Sequence, residues 1–85
     1  MTTYACPCCG FLTLTMPSPG SFELCPVCYW EDDSVQFSDP EFRGGANAPS
    51  LAEARENFAR LGASSPEVLQ LVRPALASEQ PPQDA

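Results

Sequence analysis

The sequence contains no histidine and no lysine. Every nitrogen-ligated metal scheme is thereby excluded, and with it any His-dependent triad or imidazole general base. Its cations are four arginines, set against eleven carboxylates, for a formal net charge of −7. A domain that grips nucleic acid carries a basic footprint, and a chain of this charge is repelled by phosphate unless its arginines cluster. Direct nucleic-acid binding is therefore not expected. No apolar run approaches the roughly twenty residues of a membrane-spanning helix, so no membrane partner is expected. The opening Met1-Thr2-Thr3-Tyr4-Ala5 has neither the basic nor the apolar stretch of a secretory signal. The chain is read as soluble and cytoplasmic.

What is present is cysteine, proline and glycine. Eighty-five residues make one small domain, and a core of that size supplies only about 3–5 kcal/mol without help. Ten prolines and five glycines imply much turn and loop. Cys6-Pro7-Cys8-Cys9-Gly10 and Cys25-Pro26-Val27-Cys28 give the spacing C-x2-C-x15-C-x2-C when Cys6 is taken with Cys9 and Cys25 with Cys28. That spacing is a zinc-site signature. Two cysteines three positions apart on a tight turn aim both sulfurs at one point, and two such turns complete a tetrahedron of thiolates. Pro7 and Pro26 suit the start of a turn, and Gly10 suits a positive φ after the first pair. Tyr29 stands where the second turn would want the same glycine. A disulfide framework would need an oxidising compartment, and five cysteines cannot all pair. The expected metal ligands are therefore Cys6, Cys9, Cys25 and Cys28. The expected ion is a structural Zn2+, with Fe as the alternative, since tetrahedral sulfur sites accept either. Such a zinc contributes roughly 10–16 kcal/mol to folding and takes the net charge to about −9.

Around these turns the pattern predicts a small α+β fold of zinc-ribbon or rubredoxin-like type: a knuckle hairpin, two short helices and a disordered C-terminal tail. Leu12 and Leu14 alternate with Thr13 and Thr15 as in a half-exposed strand. The cluster Pro17-Ser18-Pro19-Gly20-Ser21 is a turn, and Phe22-Glu23-Leu24 the return strand. Val35 and Phe37 flank Gln36 like a third strand, which Asp39-Pro40 breaks. Glu31-Asp32-Asp33 reads as a solvated turn or a helix start, and Gly44 to Pro49 as a structural loop. Ser50-Leu51-Ala52-Glu53 is a capping box for a helix from Leu51 to about Leu61, with Leu51, Ala54, Phe58 and Leu61 as its apolar stripe and Gly62 as its stop. Arg55 is expected to face solvent or to pair with Asp32 or Asp33. Ser65-Pro66-Glu67 starts a short second helix that ends before Pro74. The expected division is a metal-binding domain over residues 1–73 and an acidic, Pro-rich tail over 74–85.

Cys6-Pro7-Cys8-Cys9-Gly10, the run Cys25 to Asp33, Gly44-Gly45-Ala46-Asn47 and the run Ser50 to Phe58 together resemble the bacterial cysteine-rich CPCC family over roughly residues 4–73. The resemblance implies a small zinc-ribbon-like protein and supplies no catalytic residue. Cys8 is surplus to a closed four-ligand site and is expected as a small buried side chain; ligand exchange and a redox role are its alternatives. The expected function is a non-catalytic binding or regulatory module that presents an acidic surface to a protein partner, a basic one by charge complementarity. The alternative is a rubredoxin-like single-iron electron carrier. A thioredoxin-type oxidoreductase is disfavoured because a strand, not a helix, follows Cys9.

Overall fold

The computed structural model describes residues 2–81. Strand β1 (Tyr4–Ala5) pairs antiparallel with β2 (Leu12–Leu14), Tyr4 opposite Leu14 and Ala5 opposite Leu12. The turn of this hairpin is the first cysteine knuckle itself: the Gly10 amide donates to Cys6 O at 2.8 Å and the Cys6 amide to Phe11 O at 2.9 Å. The second knuckle repeats the arrangement. Tyr29 N donates to Cys25 O at 2.7 Å and Cys25 N to Trp30 O at 3.0 Å, with Leu24 bridged to Glu31 just outside. The expected class, small α+β with a knuckle hairpin, is observed, but the pairing differs. Leu12–Leu14 does not pair with Phe22–Leu24; each segment finds its partner across its own knuckle. A short knuckle closes at lower entropic cost than the longer loop through Pro17 to Ser21.

Helix α1 (Ser34–Ser38) stands where alternation suggested a strand. The Asp33 carboxylate decides the matter, with Oδ1 accepting from the amides of Val35 at 2.7 Å and Gln36 at 3.2 Å. Gln36, not Val35 or Phe37, is the buried residue of this helix. Helix α2 (Leu51–Leu61) is as expected, with the Ser50–Glu53 capping box formed and Gly62 stopping the helix at φ 83°. Leu51 and Ala54 are buried and Phe58 packs against the same core, where its ring meets Phe11 edge-on at 6.1 Å. Leu61 lies more exposed, at 38%. The second helix is a 3-10 helix, Pro66–Leu71, and Ser65 makes no side-chain capping bond to it. Beyond it, Arg73 grips Glu79 through two bonds of 2.9 and 2.8 Å, and Ala77–Glu79 forms a further 3-10 turn. Residues 82–85, the end of the expected tail, lie outside the described residues.

A polar network ties the second hairpin to the glycine-rich loop. Gln36 Nε2 donates to the carbonyls of Phe42, Asn47 and Pro49 at 3.0, 3.2 and 2.9 Å. Its Oε1 accepts from the Asn47 backbone and side-chain amides at 3.1 and 2.9 Å. Asn47 in turn brackets Glu31, accepting from its amide and donating to its carbonyl, both at 2.8 Å. Asp33 Oδ2 accepts from Ala46 N at 2.9 Å. Burial raises the Asp33 pKa, but the amides of Ala46, Gln36 and Val35 outweigh it and hold the carboxyl below its usual value. Asp32 is also buried and accepts from Ser21 N at 3.0 Å and Ser21 Oγ at 2.7 Å. The acidic run is thus a helix start, as one of the two expectations had it, and Asp32 and Asp33 are structural acceptors rather than solvated charges. Arg55 pairs with neither; its Nε donates to Pro7 O at 2.9 Å.

Gly45 is where this network leaves no room. A β-carbon there would stand 2.7 Å from Asp33 Oδ2 and 2.8 Å from Gln36 Cδ. Gly45→Ala is expected to lower stability by about 1–3 kcal/mol, read from urea unfolding of the metal-loaded protein. Gly62→Ala, which meets open space, is expected to lose about 1 kcal/mol through its positive φ alone.

Candidate metal centre

Each knuckle delivers two sulfurs to one point. The Sγ atoms of Cys6, Cys9, Cys25 and Cys28 all lie within 4.8 Å of one another. Cys6 and Cys28 approach to 3.5 Å, Cys9 and Cys25 to 3.7 Å, each contact joining one knuckle to the other. Four sulfurs placed about 2.3 Å from a common centre form a tetrahedron with edges of about 3.8 Å, so the donor set and its spacing fit a tetrahedral ion. Cys6, Cys25 and Cys28 are buried and Cys9 is half-buried.

Four thiolates cannot share this space without a cation. Hydrogen bonding with Cys28, and then with Cys6, holds the Cys25 thiol far below its ordinary pKa. Cys28 and Cys9 are driven the other way, first by their bonds to Cys25. A divalent ion would neutralise several of these thiolates at once, so that binding it releases their protons.

Several surrounding groups steer the sulfurs. The bulge in the first hairpin leaves Thr13 without a partner across the strand and puts its hydroxyl 3.0 Å from Cys25 Sγ. Trp30 N lies 3.4 Å from Cys28 Sγ. The Trp30 side chain is fully buried in the cluster that contains the cysteines. Tyr29 does something else. It adopts φ 68°, the left-handed conformation that Gly10 takes at φ 82° in the first knuckle. The second knuckle therefore has the geometry of the first without the glycine, at a cost of about 1–2 kcal/mol for a residue with a β-carbon. The backbone beyond α2 braces that knuckle, with Ser64 N donating to Cys28 O at 2.8 Å and Arg73 N to Pro26 O at 3.2 Å. Cys8 is buried and lies outside the four-sulfur group. Thr13 is the contributor that alternation hid, because it reads as the solvent side of a strand, and only the bulge turns it inward.

Two matched cysteine knuckles, four convergent sulfurs and a short capped helix define a small four-cysteine domain capable of chelating a metal ion. The cysteine-rich CPCC family profile matches residues 4–79. The chain belongs to the cysteine-rich CPCC family, and the match extends through Glu79, the residue that Arg73 holds. No curated protein matches the chain.

Thr13→Val is expected to weaken metal affinity roughly tenfold, the usual size of a lost outer hydrogen bond to a ligand, in competition with a chromophoric chelator. Thr13→Ser should retain the affinity.

Proposed function

We propose that Cys6, Cys9, Cys25 and Cys28 hold one structural zinc ion, and that the domain so folded is a non-catalytic binding or regulatory module offering an acidic surface to a basic protein partner. The convergence of the four sulfurs carries this reading. Four thiolates fill a tetrahedral zinc shell and leave no position for substrate or water, which is the mark of a structural rather than a catalytic site. Zinc is chosen over iron on the family's zinc-ribbon likeness. The rubredoxin-like alternative is retained because of Tyr29, whose positive φ removes the missing glycine as an argument against it.

The acidic surface is supported by where the charges sit. Arg43 and Arg73 are paired with Glu53 and Glu79, Arg55 is bonded to Pro7 O, and Arg60 Nη2 donates to Asn57 Oδ1 at 3.1 Å. Arginines engaged in this way do not form a phosphate-binding cluster. Asp39, Glu41, Glu56 and Glu67 stand exposed, and a field of this sign favours encounter with cationic proteins.

Elemental analysis of the purified protein is expected to return one zinc per chain and no colour; a red protein that bleaches on reduction would establish iron instead. Cys25→Ser should lose the metal and the fold together, while Cys8→Ser keeps both. The ion must be released as pH falls, because its ligands are thiolates and protons compete for them. Circular dichroism should follow that release in one step. Polylysine should bind the metal-loaded chain at low ionic strength and dissociate as salt rises; no binding at low salt would overturn the partner reading.

A further inference from the structure

Between the second knuckle and the 3-10 helix Pro66–Leu71 runs a cleft of about 270 Å3. Its walls include Leu24, Tyr29 and Val68, and its carboxylates are Glu31 and Glu67. No arginine lines it. The ion pairs of the described residues are Arg43–Glu53 and Arg73–Glu79, so among these residues neither Glu31 nor Glu67 has an ion-pair partner. Ser65 also lines the cleft, is only 8% exposed, and spends no hydroxyl bond on capping the turn it precedes. The floor of the cleft is pinned at Glu31, which Asn47 holds at both backbone atoms.

The geometry points to this cleft as the docking site for a single lysine or arginine side chain of a partner protein. The inference rests on the basic-partner reading above and gives it an address. The apolar walls suit an aliphatic stem, which long cationic side chains lay along such surfaces while keeping the head polar. Tyr29 supplies an aromatic wall against which a cation is attracted, and Glu31 and Glu67 supply the countercharge and Ser65 a neutral acceptor. A bare hard cation fits less well, because it takes six or more oxygens and much of this lining is apolar. The trough continues past Ala48, Pro49, Ser65 and Glu67 into a second depression, where Glu53 and Glu56 stand beside Arg43, which Glu53 holds, and Arg60. An extended peptide can therefore lie across the cleft with one side chain inserted.

The probe is a blocked pentapeptide, Gly-Ala-Lys-Ala-Gly, with its arginine and norleucine counterparts, titrated into the zinc-loaded full chain at low salt and followed by amide chemical shifts. The lysine and arginine peptides are expected to shift Tyr29, Glu31, Ser65 and Glu67 together, and the norleucine peptide to leave them still. Glu31→Gln and Glu67→Gln remove side-chain charges that no hydrogen bond among the described residues uses; each should weaken binding roughly fivefold, the scale of a partly exposed ion pair. Asp39→Asn makes the same charge change outside the cleft and should leave affinity unaltered. If the cationic peptides bind but the shifts spread over all exposed carboxylates, or Asp39→Asn costs as much as Glu67→Gln, the cleft is overturned while the acidic-surface reading stands. If the peptides do not bind at low salt although polylysine does, the cleft alone falls; if neither binds, both readings fall.

Discussion

Four sulfurs have to meet at one point, and each comes from a turn that cannot hold its shape by itself. This is the constraint on which the rest of the structure depends. Each knuckle closes on a pair of backbone bonds, donated by Gly10 N and Cys6 N in one case and by Tyr29 N and Cys25 N in the other. The flanking segments are too short to be stable strands in isolation. An ion in the middle would tie the two turns together. The remaining elements act as scaffolding: β1 and β2 carry one knuckle, the bridged segments around Leu24 and Glu31 carry the other, and α2 spans both, with Arg55 bonded to Pro7 O on the first and the chain beyond it bonded to Cys28 O on the second.

The residues that look most like a second site serve this same end. Three carboxylates followed by a double glycine suggest chemistry when read as a string. In space, Asp32 ties down Ser21, Asp33 starts α1 and anchors Ala46, and Gln36 and Asn47 satisfy one another and the loop around them. The small core leaves little apolar area to fix the long loop, and buried hydrogen bonds specify its path instead. Such a network is tolerable only when nearly every member is satisfied, which accounts for the bare α-carbon at Gly45, against which Asp33 and Gln36 close.

The sequence announced the cysteine cluster because ligand spacing is a local property: three positions within a turn, repeated once. Helix α2 was legible for the same reason, its start and stop being written in Ser50, Glu53 and Gly62. What escaped was decided over longer distances. Val35 and Phe37 alternate like a strand, yet Asp33 caps a helix and the polar Gln36 goes inward to partners well along the chain, at Phe42, Asn47 and Pro49. Thr13 reads as a solvent-facing strand residue, and only the bulge opposite Tyr4 and Ala5 brings its hydroxyl to Cys25. Arg55 offered a ready ion pair with the acidic run, but Asp32 and Asp33 are buried and a knuckle carbonyl took the guanidinium. The strand pairing follows from the first knuckle, which gathers two cysteines and is also the tip of a hairpin.

The bonds from Ser64 N to Cys28 O and from Arg73 N to Pro26 O give the molecule a particular vulnerability. They make the later half of the chain lean on the second knuckle, in addition to the core contacts of Leu51 and Ala54. Were the proposed ion withdrawn, loss of the second knuckle would be felt at Ser64 and Arg73 as well. An ion held there would thereby link the order of that later segment to metal supply, and a chain without it would be more open to proteases.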